Sequence, residues 1–181
     1  MAGPSLSWLK GLGALRRRDD GVASVEFAFL ALFLVTAVLN VADIAMYAFK
    51  RMEVQDAADL AAMQARHACN SQSLPATVNC SGLNAAITAG IQGTQLGSTV
   101  TLKSGSLSEG YYCLNTSYSL VYVSGTGSKP TSCSSVGQST LTPGDYVTFT
   151  ATYNYQPLVP KITVASLFST PLTATAWIRL G

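Results

Sequence analysis

The spacing of hydrophobic and polar residues along this chain follows two successive rules. From residue 27 to residue 39 no side chain is charged, and residues 22–42 hold one charge, Glu26. A helix needs about 20 apolar residues to cross a hydrocarbon core of ~30 Å, so this segment is long enough to span a membrane. Residues 50–68 then consist largely of the strong helix formers Ala, Met, Leu, Gln, Glu and Arg. Met46, Phe49, Met52, Val54, Ala57, Ala58, Ala61, Ala62 and Ala65 recur at spacings of three and four, on one stripe. Neither Pro nor Gly interrupts the stretch from Val22 to Ala68. The pattern predicts one helix over 22–68, ~70 Å long at 1.5 Å per residue. Its first part lies in lipid, about 22–45, and Asp43 falls at the outer interface. The Ala-rich stripe predicts close packing on the chain's own later part from Ala57 onward.

Further along, the period switches to two. In 146–155, Val147, Phe149, Ala151, Tyr153 and Tyr155 alternate with Thr148, Thr150, Thr152 and Asn154. In 172–180, Leu172, Ala174, Ala176, Ile178 and Leu180 alternate with Thr173, Thr175, Trp177 and Arg179. One dry face and one wet face mark an antiparallel sheet. Residues 99–103 read as a short strand, and 111–114 with 118–123 as a hairpin about Asn115-Thr-Ser117. Ser81 is placed to cap a short helix carrying Leu83, Ile87 and Ile91, which should end near Gly93 or Gly97. Residues 124–130 and 132–137 read as loops, and Pro157, Pro160 and Pro171 bracket an irregular or helical link. The expected fold class is α+β, a long N-terminal helix covering the apolar face of a four- to five-stranded antiparallel sheet.

Charge narrows the functional classes. Eleven Lys and Arg face nine Asp and Glu, a net charge of +2, and only 11 % of residues are charged, against ~25 % in ordinary soluble domains. Residues 70–181 hold six charged side chains. No basic field exists for nucleic acid. The cysteines, Cys69, Cys80, Cys113 and Cys133, form no CxxC pair, and an even set beyond an export-like segment reads as two disulfides in an oxidising compartment. The local pairings, Cys69–Cys80 and Cys113–Cys133, close the shorter loops and are favoured; four buried thiols are the other reading. His67 could join Cys69 and Cys80 around a metal only if those thiols were free, so neither metal nor cofactor is expected. Gly125-Thr-Gly-Ser-Lys129 lacks the spacing of a phosphate loop. The sequence singles out no nucleophile with a base, so neither an enzyme nor a small-molecule substrate is expected. Asn79 and Asn115 begin glycosylation sequons, which matter only on a eukaryotic secretory route.

The front end admits three readings. Lys10 and Arg16-Arg17-Arg18 precede the apolar run, and Lys50 and Arg51 follow it, which favours the N-terminus inside. The run could be a cleaved secretory signal, a plain membrane anchor, or a prepilin-type signal cut before the apolar stretch. The last accounts together for Gly21 after a charged cluster and for Glu26 within the span. A carboxylate there costs ~2.5–3.5 kcal/mol or more and calls for a partner. A cut after Gly21 makes Val22 the new N-terminus and Glu26 its fifth residue, so a neighbouring subunit's amine could pair with Glu26 and set the register. In the plainer alternative, Glu26 snorkels to the near interface.

The basic cluster with Gly21-Val-Ala-Ser-Val-Glu-Phe-Ala28, the run Val54-Gln-Asp-Ala-Ala-Asp-Leu-Ala-Ala62, and the C-terminal stretches 146–160 and 172–179 resemble the TadE-like family of pilus-assembly proteins. These are minor pseudopilins of the tight-adherence (Flp, type IVc) pilus. The resemblance implies a pilin-like fold with three parts: a cytoplasmic leader over 1–21, a long helix over 22–69 and a periplasmic α+β domain over 70–181. It implies cleavage between Gly21 and Val22 by a prepilin peptidase, and residence in the bacterial inner membrane or the filament. The implied partners are the membrane, the peptidase, other pilins and the assembly platform, with Glu26 serving subunit register. Asp43 stands where the family often holds Gly, Glu or another polar residue. The alternative is an uncleaved, single-pass anchored periplasmic binding module.

Overall fold

The computed structural model describes residues 20–168 and 170–181, with side chains from residue 22 onward. Of the expected leader, residues 1–19 lie outside the described residues. Asp20 and Gly21 form the start of the first helix, α1 (Asp20–Ala68), 49 residues without a break. It starts two residues before the expected Val22 and ends at the expected Ala68. Arg66 and His67 occupy its last turn, where a cation complements the negative end of the helix dipole.

A short helix α2 (Ala76–Asn79) and a second longer one, α3 (Leu83–Gln92), follow. Ser81 does not cap α3. Gly82 holds the cap position with no side-chain hydrogen bond, while Gly93 ends the helix as expected. Leu83, Ile87 and Ile91 form the buried stripe of α3, together with Gly90.

Five strands build one antiparallel sheet: β1 (Val100–Leu102), β2 (Ser108–Leu114), β3 (Leu120–Ser124), β4 (Gly144–Tyr153) and β5 (Leu172–Arg179). β4 is central. Along one edge it pairs with β5 from Tyr146↔Arg179 to Tyr153↔Leu172. Its other edge is shared: β1 pairs with residues 151–153 and β2 with residues 144–148. Between them the Ser106 hydroxyl accepts the Thr150 N–H at 3.1 Å and the Lys103 N–H reaches the Thr150 carbonyl at 2.9 Å. β3 completes the hairpin with β2.

The hairpin differs from expectation at both ends. β2 begins at Ser108, not residue 111, because pairing with β4 imposes extended backbone on Ser108-Glu109-Gly110. β3 begins at Leu120, not residue 118, because Tyr118 sits in the turn at φ +59°. The faces of β4 and β5 are as the alternation predicts, with three exceptions. Thr148, expected on the wet face, is buried. Tyr153 is only partly covered, and Tyr155 is buried beyond the strand end. The proline-bracketed link is irregular, with one 3-10 turn, Val164–Leu167.

Both long helices cover one face of the sheet. α1 lies over β5 and β4, and α3 packs on α1 and beside β1. Val54, Ala57, Ala58, Ala61 and Ala65 of α1 meet Ile87 and Ile91 of α3 and Val147, Phe149 and Ala151 of β4 in one core. Small side chains let the two helices approach closely. A Cβ added to Gly90 would stand 2.4 Å from the Ala61 Cα. The two disulfides are the local ones, Cys69–Cys80 and Cys113–Cys133, with Cα–Cα distances of 5.8 and 5.7 Å. The first ties the end of α1 to the α2 segment. The second ties β2 to the long excursion before β4.

Candidate functional site

The N-terminal half of α1 stands clear of the domain. Val22, Val25, Phe27, Phe29, Leu30, Leu32, Phe33, Leu34, Val35, Val38 and Val41 are all more than half exposed. None of the most apolar 18-residue window is buried within the fold. A soluble domain does not present such a surface to water; a helix of this length and composition can cross a membrane. Gly21 and Val22 lie in its first turns, and Glu26 is exposed one turn further along. Within the apolar part, polar side chains bond to the helix backbone. The Thr36 hydroxyl donates to the Phe33 carbonyl at 2.9 Å and the Asn40 amide to the Thr36 carbonyl at 2.8 Å.

The packed part of the helix begins at Asn40 and Asp43. Asp43 is fully buried. Its carboxylate accepts hydrogen bonds from the Tyr155 hydroxyl, the Thr163 hydroxyl and the Leu158 N–H, the last at 3.1 Å. One turn earlier, the Asn40 side-chain oxygen accepts the Val164 N–H at 2.8 Å. One turn later, Tyr47 meets Tyr155 edge-on at 5.2 Å and Phe168 at 4.7 Å. Three successive turns of α1 are thus bolted to the link between β4 and β5. Burial, and then the Asp43 carboxylate, push the Tyr155 hydroxyl well above its ordinary range. A buried carboxylate is tolerated only with such a set of donors. Sequence reasoning placed Asp43 near an interface but not its partners, which lie 112 to 120 residues away.

A second buried carboxylate lies at the other end of the sheet. Asp145 on β4 is covered, and neither of its oxygens has a hydrogen-bond partner among the described residues. Glu109 on β2 faces it. The Glu109 carboxylate accepts the Thr77 N–H at 2.7 Å and the Ala76 N–H, at the start of α2. Burial, and then the negative charge of Glu109, push the Asp145 carboxyl up to about 6 from 3.8, and Lys129 opposes them. The folded state therefore holds this proton more tightly than the unfolded chain. The stability that this provides is complete below pH 3.8 and is lost as pH rises through about 6. Thermal unfolding of the full chain in detergent should show the midpoint falling between about pH 4 and pH 6 and level above that. Asp145→Asn should lack that fall and be the more stable protein at neutral pH.

The sheet face turned away from the helices carries aromatic rings. Tyr112 meets Tyr122 at 5.5 Å, Tyr146 at 5.7 Å and Trp177 at 5.1 Å, all near edge-to-face. A shallow cavity of about 240 Å³ beside them is lined by Tyr112, Leu120, Leu141, Tyr146 and Arg179 among others. His67 is exposed at the end of α1, and the sulfurs of Cys69 and Cys80 bond each other.

Residues 21–63 match a family described as TadE-like protein. The match starts at Gly21, takes in Glu26, Asn40 and Asp43, and ends within the alanine stripe. The resemblance read from 21–28 and 54–62 thus falls inside it, and the C-terminal stretches 146–160 and 172–179 fall outside it. Curated proteins and solved structures give no match to the chain.

Proposed function

We propose, from the TadE-like segment carried at residues 21–63, that this chain is a minor pseudopilin of a tight-adherence pilus. A prepilin peptidase cuts it after Gly21. The mature helix then sits laterally in the bacterial inner membrane, with the disulfide-braced α+β domain in the periplasm. Its work is helix packing with other pilins and with the assembly platform, not catalysis. The observation that carries this reading is the apolar half of α1, none of its most apolar stretch buried in the fold, joined without a break to a helix that the domain holds firmly. Such a helix has two possible neighbours, lipid and other apolar helices, and a pilin exchanges one for the other as it is assembled.

Glu26 is the one charge in the exposed apolar stretch. After the cut it lies close to the new amine in sequence, so an amine from an adjacent subunit can neutralise it in low dielectric. Glu26→Ala is expected to leave processing intact and to reduce incorporation and pilus yield at least tenfold, about 1.4 kcal/mol of lost pairing. Immunoblots of sheared filaments against whole membranes measure both. Normal pili from the Ala variant would remove the register role. The aromatic group about Tyr112 favours a second reading, an uncleaved anchored binding module, which predicts an intact N-terminus and tolerance of a foreign anchor.

A further inference from the structure

The link between β4 and β5 is more than a connection. In residues 156–168 four large apolar side chains point outward: Leu167 is 82 % exposed, Ile162 63 %, Leu158 57 % and Val164 47 %. The same stretch has one charged residue, Lys161, also exposed. Exposed apolar residues cluster in this way at interaction surfaces, whereas isolated ones need no explanation.

Its position on the helix identifies what it faces. Both flanks of the link, Tyr155 and Phe168, stack on Tyr47. Its middle bonds further down α1: Leu158 and Thr163 to Asp43, Val164 to Asn40. The loop therefore descends along α1 towards the N-terminal, apolar half and turns back. Its lowest bond, at Asn40, is ~27 Å from Val22 at 1.5 Å per residue, close to the ~30 Å of a hydrocarbon core. The exposed side chains of the loop thus lie at the level of α1 where the span ends.

We infer that residues 156–168 form a membrane-docking loop, whose Leu158, Ile162, Val164 and Leu167 side chains enter the outer leaflet beside the spanning helix. Apolar groups at such a boundary sit ~5–10 Å deep, and Lys161 reaches back to lipid phosphates. With α1 crossing the bilayer and the loop resting on it, the domain has two points of support and a fixed tilt. The inference rests on the spanning half of the proposed function, not on processing or on the pilus.

Tryptophan depth tests it. The full chain, with Trp8→Phe and Trp177→Phe, is reconstituted in phosphatidylcholine–phosphatidylglycerol vesicles whose acyl chains are brominated near the headgroup or near the chain end. Leu167→Trp should emit at shorter wavelength than Leu141→Trp, a domain-surface control. It should also be quenched more by the shallow bromines than by the deep ones. Ile162→Trp should behave alike and guards against a local effect of one variant. Phe29→Trp, within the span, should be quenched more by the deep bromines. If Phe29→Trp is quenched and the loop variants match Leu141→Trp, the docking loop is wrong and the span stands. If Phe29→Trp is also unquenched, both fall. Loop tryptophans shielded from aqueous iodide yet untouched by bromolipid would mean that protein covers the loop, which also overturns the proposal.

Discussion

Asp43→Ala is expected to loosen the joint between helix and domain more than any other single truncation on α1. The change removes the acceptor for the Tyr155 and Thr163 hydroxyls and the Leu158 N–H. Two of these have a fallback. Tyr155 also reaches the Asp43 carbonyl at 3.1 Å, and Thr163 the Val159 carbonyl at 3.2 Å. The Leu158 N–H has no other acceptor among the described residues, and the cavity left by the carboxylate has polar walls. Buried groups left unpaired cost ~1–3 kcal/mol each, so the loss should total about 2–4 kcal/mol. At about 2–4 °C per kcal/mol for a chain of this size, the midpoint should fall on the order of 5–15 °C. Thermal unfolding of the full chain in detergent measures the fall, and proteolysis should shift to residues 155–168. An unchanged midpoint with a protected loop would show that the three bonds to Asp43 do not hold the joint.

The second large effect is at Gly90. In an exposed helix, Gly→Ala stabilises by ~0.5–1 kcal/mol. Here the new Cβ would stand 2.4 Å from the Ala61 Cα and 2.8 Å from its backbone nitrogen. Both atoms belong to the backbone of a helix held on its other side by β5, so neither yields easily. The clash outweighs the propensity gain, and overpacking of this kind costs ~1–3 kcal/mol, sometimes more. Gly90→Ala is expected to lower the unfolding midpoint and Gly90→Val to lower it further. Gly82→Ala is the control: nothing lies within 4 Å of its added Cβ, and the change should stay within about 0.5 kcal/mol. Ala61→Gly should not rescue Gly90→Ala, because it removes only the 3.1 Å contact to the Ala61 Cβ. A rescue, or a neutral Gly90→Ala, would mean that the helices separate at little cost.

How much of this was legible in the sequence depends on how far each cause reaches along the chain. The long helix is written in local terms, as helix formers, a stripe, and no Gly or Pro from residue 22 to residue 68. The faces of β4 and β5 are written in alternation, Val147-Thr148-Phe149-Thr150-Ala151 in one and Leu172-Thr173-Ala174-Thr175-Ala176 in the other. The disulfides follow from short loop closure. Ser108-Glu109-Gly110 is different: nothing in those residues favours a strand, and their neighbour β4 imposes one. Ser81 looked like a cap by type, but the disulfide-tied turn before α3 places Gly82 there instead. The Asp43 joint is the clearest case of a site hidden from local reading. A carboxylate in an apolar run signals a need for partners, but the hydroxyls and N–H that meet it come from an irregular link with no periodic pattern. The chemistry of α1 was therefore legible, and the seat that the domain builds for it was not.

The central claim is that the apolar half of α1 is a processed pilin-type helix, and the cut itself is its most direct test. The measurement is N-terminal sequencing together with intact mass of the protein purified from its native membrane. The account predicts a mature chain that starts at Val22 with residues 1–21 absent, and a full-length mass when Gly21 is replaced by a larger residue. A chain still beginning at Met1 would contradict it and leave an anchored module, and a start near Val38 would mean an ordinary secreted domain.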